Sequence, residues 1–269
     1  MGDDGQDTRG DEGEAGAPLG SRILGRLLKD PSLRDGYFLV DYASPGCADP
    51  FRTLVAVVLS QNTNDRNGYR AFSALERSVG VTPESIRAAP LEAIEEAIRP
   101  AGMHRQRARK LKELASAVIE RYGGDLARAL SGGLEEARSA LMELPGVGPK
   151  TADVVLLFCA SMPTFPVDTH IFRVSRRLGL VGPRAGYEEV RLALQSMFER
   201  KDYAVAHRAL IQLGRVYCRA RSPRCGEGPD RGPCPRIGVQ RPPGDNKTGA
   251  GLDRGRAAGG GGGGRRRAH

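Results

Sequence analysis

Tryptophan is missing from this chain of 269 residues, and all aromatic side chains together make up only 5% of it. Alanine, leucine, valine, arginine and glutamate dominate instead, a mixture that favours helix over sheet. No apolar run approaches the roughly 20 residues of a membrane span. The N-terminus lacks the basic start and apolar stretch of a signal peptide. These absences lead us to expect a soluble cytoplasmic protein, nucleoid-associated in a prokaryotic cell, with no membrane partner. Cysteine is scarce as well, with five residues at 47, 159, 218, 225 and 234. Three of them crowd a short C-terminal stretch, which in an intracellular protein points to metal before disulfide.

What the chain has in excess is positive charge, +9 overall with a sequence pI near 9.6. Residues 1–18 carry six acids against one arginine, and the tail from Gln240 carries seven Lys/Arg against two Asp. The two ends contribute −5 and +5 and cancel, so the whole excess belongs to residues 19–239. A basic folded region fits a polyanionic partner, although basic proteins without one are common. The Gly- and acid-rich residues 1–18 and the Gly/Arg-rich residues 240–269 have almost nothing to bury and read as disordered. For the tail, loose attachment to nucleic acid and a merely solubilising role are both open.

Between the ends the pattern is helices joined by short loops, an all-α fold. "DPFRTLVAVVLSQ" opens on Asp49 as N-cap with Pro50 at the first helical position. Thr82 and Pro83 open a second such helix. In "MHRQRARKLKELASAVIERYGG" the apolar residues Leu111, Leu114, Ala115 and Val118 form a helical stripe that a glycine pair ends. The run Val154–Phe158 fits a buried strand by periodicity alone, but its length and its approach through Thr151 and Ala152 favour a buried helix.

The stretch "LPGVGPK", residues 144–150, turns the chain sharply between two helices. Pro145, Gly146 and Gly148 permit a bend where a Cβ would clash. The next helix starts near Pro149 and Lys150, and its unpaired N–H groups together with the helix dipole make an anion site. A nucleic-acid backbone can approach side-chain-free glycines closely, which positions phosphate without reading bases. An ordinary interhelical turn is the plainer alternative. Eighteen residues beyond Lys150, in "VDTHIFRV", lies Asp168.

Taken together, "LSQNTND", "LPGVGPKTADVV", "VDTHIFRV" and a degenerate cysteine loop resemble the helix-hairpin-helix DNA glycosylase superfamily, in particular its endonuclease III branch. The likeness runs over about residues 20–237. It implies two helical lobes with DNA crossing the cleft between them. One would be a six-helix barrel over 45–162 that includes the hairpin at 144–150. The other would combine 19–44 with 163–237. Lys150 and Asp168 are then the expected catalytic pair. An unprotonated Lys150 would attack C1′ of a nucleotide whose base has been flipped out, while Asp168 stabilises developing positive charge and moves protons. Taken singly, Lys150 also reads as a phosphate-contacting surface lysine and Asp168 as a helix N-cap. Family members that only hydrolyse the base bond lack the lysine, so Lys150 implies a glycosylase that is also an AP lyase.

The same resemblance implies that Gln61 or Asn62 fills the hole left in the base stack, with Met103 as an apolar wedge beside His104. Met103 equally reads as a buried helix-start residue. Pro145, Gly146, Val147, Gly148 and Thr151 would grip the backbone of the DNA, and His170 would order the Asp168 loop. Arg105, Arg107, Arg109 and Lys110 read partly as DNA-backbone contacts and partly as a solvated face. Cluster-bearing relatives space four cysteines as Cys-x6-Cys-x2-Cys-x5-Cys. Here Cys218, Cys225 and Cys234 occupy the first, second and fourth positions, and the third is Gly228. A [4Fe–4S] cluster takes four thiolates as a rule. Completion by Cys47, a labile three-cysteine cluster and a loop without metal all stay open, and Cys159 reads as core filler. The expected activity is removal of oxidised pyrimidines from duplex DNA with nicking at the abasic site, by a monomer. A thymine/uracil mismatch glycosylase and a non-catalytic DNA-binding helix-hairpin-helix protein are the rivals.

Overall fold

A computed structural model describes residues 18–34, 36 and 38–239, and the two terminal segments read as disordered lie outside these apart from Pro18. Among the described residues every regular element is helical. In chain order these are α1 (Leu19–Leu28), α2 (Pro31–Arg34), α3 (Leu39–Ala43), α4 (Pro50–Ser60), α5 (Asp65–Ser78), α6 (Pro83–Ala88) and α7 (Leu91–Ile98). After them come α8 (His104–Tyr122), α9 (Leu134–Met142), α10 (Pro149–Cys159), α11 (Thr169–Arg177), α12 (Tyr187–Met197) and α13 (Tyr203–Val216).

The boundaries follow from local chemistry. Asp49 accepts from the N–H groups of Phe51 and Arg52 at 2.9 and 3.1 Å, satisfying donors that α4 cannot pair internally. Thr82 and Ser85 close a reciprocal capping box at the start of α6. Helix α8 ends where Gly123 enters the left-handed region at φ +65° and donates back to the Ile119 carbonyl.

Two apolar cores result. The first gathers α3 to α10, from Leu39 to Leu156. The second gathers α1 and α2 with Leu157, Phe165 and the inward faces of α11, α12 and α13. Helix α10 belongs to both: Leu156 is sealed in the first core and its neighbour Leu157 in the second. That double burial is why "ADVVLLF" shows no polar face, and why periodicity alone left strand and helix unresolved there.

The cysteines correct two expectations. Cys47 and Cys159 form a disulfide with their Cα atoms 4.9 Å apart. Gly46 and Cys47 both adopt positive φ, at +61° and +54°, and this bend packs residues 45–47 on the C-terminal end of α10. Cys47 is therefore committed there and does not complete the C-terminal cysteine loop, and Cys159 is a cross-link rather than core filler.

Candidate active site

The N-termini of α10 and α11 face one cleft of about 950 Å³ that runs between residues of the two cores. Lys150, second residue of α10, and Asp168, N-cap of α11, both line it. Asp168 accepts from the Ile171 N–H at 2.8 Å through Oδ1, which leaves Oδ2 for the cleft. Burial pushes the Lys150 ammonium below its ordinary 10.5; the charge of Asp168 opposes the shift and that of Arg215 adds to it. Arg215 is itself paired with Asp65 at 2.9 Å, and Arg208 makes a two-pronged pair with Asp41 at 2.6 and 2.7 Å. Both arginines stand on α13, and their acids stand on α5 and α3 of the other core. The cleft is thus braced by cross-core ion pairs.

Two histidines flank the pair in opposite tautomers. His170 Nδ1 accepts from Arg173 at 3.0 Å, since a guanidinium can only donate. His207 Nδ1 lies 3.0 Å from the Pro166 carbonyl, which can only accept, so that ring donates from Nδ1. His207 was not singled out from sequence, although a lone histidine in the otherwise apolar start of α13 is the signal that marks it. Burial pushes its imidazole down to about 4, with Asp168 opposing and Lys150 assisting. Unfolding returns the ring to its ordinary 6.5. Between those values the unfolded chain binds a proton that the folded chain refuses. This stability is complete above pH 6.5 and is lost as pH falls toward 4, on the order of 3 kcal/mol. Thermal melts should therefore drop in midpoint across that window, and His207→Gln should flatten the drop. Equal slopes in both proteins would contradict this.

Sequence reading also missed a polar knot under the cleft. Asp153 is fully buried and accepts from Arg138 at 3.0 Å, Thr164 at 2.8 Å and Tyr187 at 2.6 Å. Tyr187 lines the cleft and also takes the Val167 N–H at 3.4 Å, one residue before Asp168. No periodicity marks this aspartate, because it sits among the apolar residues of α10.

On the far side of Lys150 the hairpin turns through Gly146 at φ +80°, a conformation that disfavours a side chain. Gly148 differs. Its φ of −100° suits any residue, and a Cβ there would meet nothing within 4 Å. Neither the turn nor internal packing demands glycine at 148. Gln61, Asn62, Met103, Pro145 and Gly146 share one small cavity beside the hairpin. Gln61 reaches Thr151 at 3.5 Å. Met103 is 56% exposed, so it is not a buried helix-start residue; it and Asn62 both hold positive φ, at +49° and +52°. His104 opens α8 directly behind Met103, and Val147 is buried beneath the turn. Arg107 corrects an expectation: it is 5% exposed and donates to the carbonyls of Val58, Leu59 and Gln61. It caps the C-terminal end of α4 and fixes the 61–62 loop rather than facing solvent.

Cys218, Cys225 and Cys234 line a separate cavity walled by Val174, Leu178 and Leu213. Among the described residues no three His, Cys, Asp or Glu side chains form a group able to hold a metal ion. A cluster spreads its ligands more widely than a single ion does. Asp230 shares the cavity and is 5% exposed; its Oδ1 accepts from Arg26 at 2.8 Å, and its buried Oδ2 has no partner. An orphaned buried carboxylate oxygen beside three thiols suits iron, so the loop's chemistry fits a cluster. Cys218, Cys225 and Cys234 would hold it, and it would fasten the loop without entering the chemistry at Lys150.

Known proteins resemble this chain in sequence and in fold. Residues 55–200 match the model of the HhH-GPD superfamily base excision DNA repair proteins. Endonuclease III of Sulfolobus acidocaldarius is 34% identical over 77% of this chain and 91% of its own length. Endonuclease III of Bacillus subtilis is 37% identical over 68% of this chain and 79% of its own. A solved structure described as a trapped endonuclease III–DNA covalent intermediate superposes with a TM-score of 0.63 at 30% identity, covering 82% of this chain and 94% of that one. With a family model spanning more than half of its residues, and relatives this similar over most of its length, the chain belongs to the HhH-GPD superfamily of base excision DNA repair proteins.

Proposed function

We propose that this protein is a DNA glycosylase with AP lyase activity that removes oxidised pyrimidines from duplex DNA and cuts the resulting abasic strand. The observation that carries this reading is the meeting of Lys150 and Asp168 on one cleft from two different helix N-termini. A flipped nucleotide entering the cleft would place its sugar between them. As the glycosidic bond breaks, its electron pair leaves with the base and positive charge grows on the sugar, where the Asp168 carboxylate stabilises it. The lone pair of neutral Lys150 Nζ forms a bond to C1′. The nitrogen then gives up a proton, the C1′–O4′ bond breaks with a proton taken up by O4′, and the opened sugar is left as a Schiff base. This acidifies the C2′ proton, and loss of that proton expels the 3′ phosphate by β-elimination. Burial of Lys150 favours the neutral amine this needs.

The surrounding residues take supporting roles. Gly148, which nothing inside the protein requires, gives the DNA backbone a close approach along Pro145, Gly146, Val147 and Thr151. Gln61 or Asn62 fills the vacated position in the stack, and exposed Met103, beside His104, acts as the apolar wedge. Strained backbone at Asn62 and Met103 is in keeping with such positions. His170 orders the Asp168 loop. In the same reading residues 45–162 act as the barrel lobe and 19–44 with 163–237 as its counterpart, in a monomer working on duplex DNA.

Borohydride trapping tests the reading. Wild-type protein on a duplex with an abasic site should yield a covalent adduct, and Lys150→Ala should yield none. Absence of an adduct in wild type would remove the lyase. Duplexes carrying thymine glycol, uracil opposite guanine or thymine opposite guanine then assign the lesion, and turnover confined to the mismatches would favour a mismatch glycosylase.

A further inference from the structure

We infer that Asp230 is the fourth ligand of a [4Fe–4S] cluster held by Cys218, Cys225 and Cys234, taking the place of the thiolate missing at Gly228. Position 228 is crowded for a side chain, because a Cβ there would come within 3.3 Å of both Cβ and Cγ of Tyr217 and the ring would have to give way. Tyr217 has little freedom to yield: its hydroxyl donates to Asp30 at 2.8 Å, and the Arg224 guanidinium lies over its ring. Two residues further on the chain turns, with the Arg231 N–H on the Gly228 carbonyl and the Cys234 N–H on the Asp230 carbonyl. That turn carries Asp230 into the cavity the three cysteines line.

The Asp230 side chain is spent on one side only. Arg26 of α1 takes Oδ1, and Oδ2 is buried with no donor. A carboxylate oxygen left this way costs stability unless something positive meets it. Iron does so, as a hard cation that accepts oxygen where a thiolate is lacking. A cluster with three thiolates and a carboxylate is anionic, and the cavity supplies the opposite charge. Arg177 donates to Cys218 Sγ at 3.6 Å, and Arg224, Arg231 and Arg236 also line the cavity. This inference is independent of the reading of the Lys150 cleft, whose assays do not involve the loop.

The full chain, purified anaerobically and reconstituted with ferrous iron and sulfide, should hold about four irons and four sulfides per chain. Asp230→Ala should fall to about three irons and show the EPR signal of an oxidised three-iron cluster. Asp230→Cys should keep about four irons with a reduced-state EPR spectrum different from wild type. A wild-type protein that takes up fewer than four irons, or binds zinc in their place, overturns the assignment. So does an Asp230→Ala protein with wild-type iron content and spectra. Should Asp230→Ala not fold, Asp230→Cys decides alone: an altered spectrum supports ligation and an unchanged one overturns it.

Discussion

Asp168→Asn should lower single-turnover base excision by about 100- to 1000-fold while leaving thermal stability nearly unchanged. Two roles converge on this side chain, and asparagine separates them. As N-cap of α11, Asp168 accepts from Ile171 at 2.8 Å, and an asparagine oxygen serves that bond equally well. The negative charge is what the substitution removes. If the carboxylate stabilises positive charge on the sugar as the base departs, the loss falls on the rate of bond breaking and not on the fold. The measurement is excision under single-turnover conditions alongside a melting curve. Wild-type rates in Asp168→Asn would reduce Asp168 to a cap, and the cleft would lose its carboxylate chemistry.

Asp153→Ala should cost about 3–5 kcal/mol, the range for removing one partner of a buried ion pair. For a protein of this size that lowers Tm by roughly 6–20 °C. Arg138, almost wholly buried, would keep only Glu188 as an acidic partner. The hydroxyls of Thr164 and Tyr187 would lose the oxygens they donate to. Excision should fall as well, because Tyr187 supports Val167 beside Asp168. Calorimetry checks the first effect, and excision measured well below the lowered Tm checks the second. A loss under about 1 kcal/mol would mean that water replaces the carboxylate and that the knot is not closed.

The helices were readable because their ends are written in short-range chemistry. Asp49 before Pro50, Thr82 before Pro83 and the glycine pair at 123–124 fix boundaries through contacts of a few residues. Lys150 and Asp168 were readable because each sits at a helix start within a recognisable motif. What escaped depends on tertiary position. Arg107 stands four residues before Leu111, on the stripe that the exposed Arg105 and Arg109 avoid, but the carbonyls of α4 that it meets there are set only by tertiary packing. Asp153 lies in an apolar stretch whose neighbours suggest only packing, and His207 is marked only by its isolation in another. Cys47 and Cys159 are separated by 112 residues, and their pairing arises only once residues 45–47 fold onto the end of α10.

Leu156 and Leu157 have a mechanical consequence. A rod packed into both cores at consecutive positions ties one half to the other along its own length. Lys150 is carried by that rod, so its reach toward Asp168 is set when the chain folds rather than when a guest arrives. Any duplex that brings a nucleotide to this amine must bend and unstack to fit a site already in place.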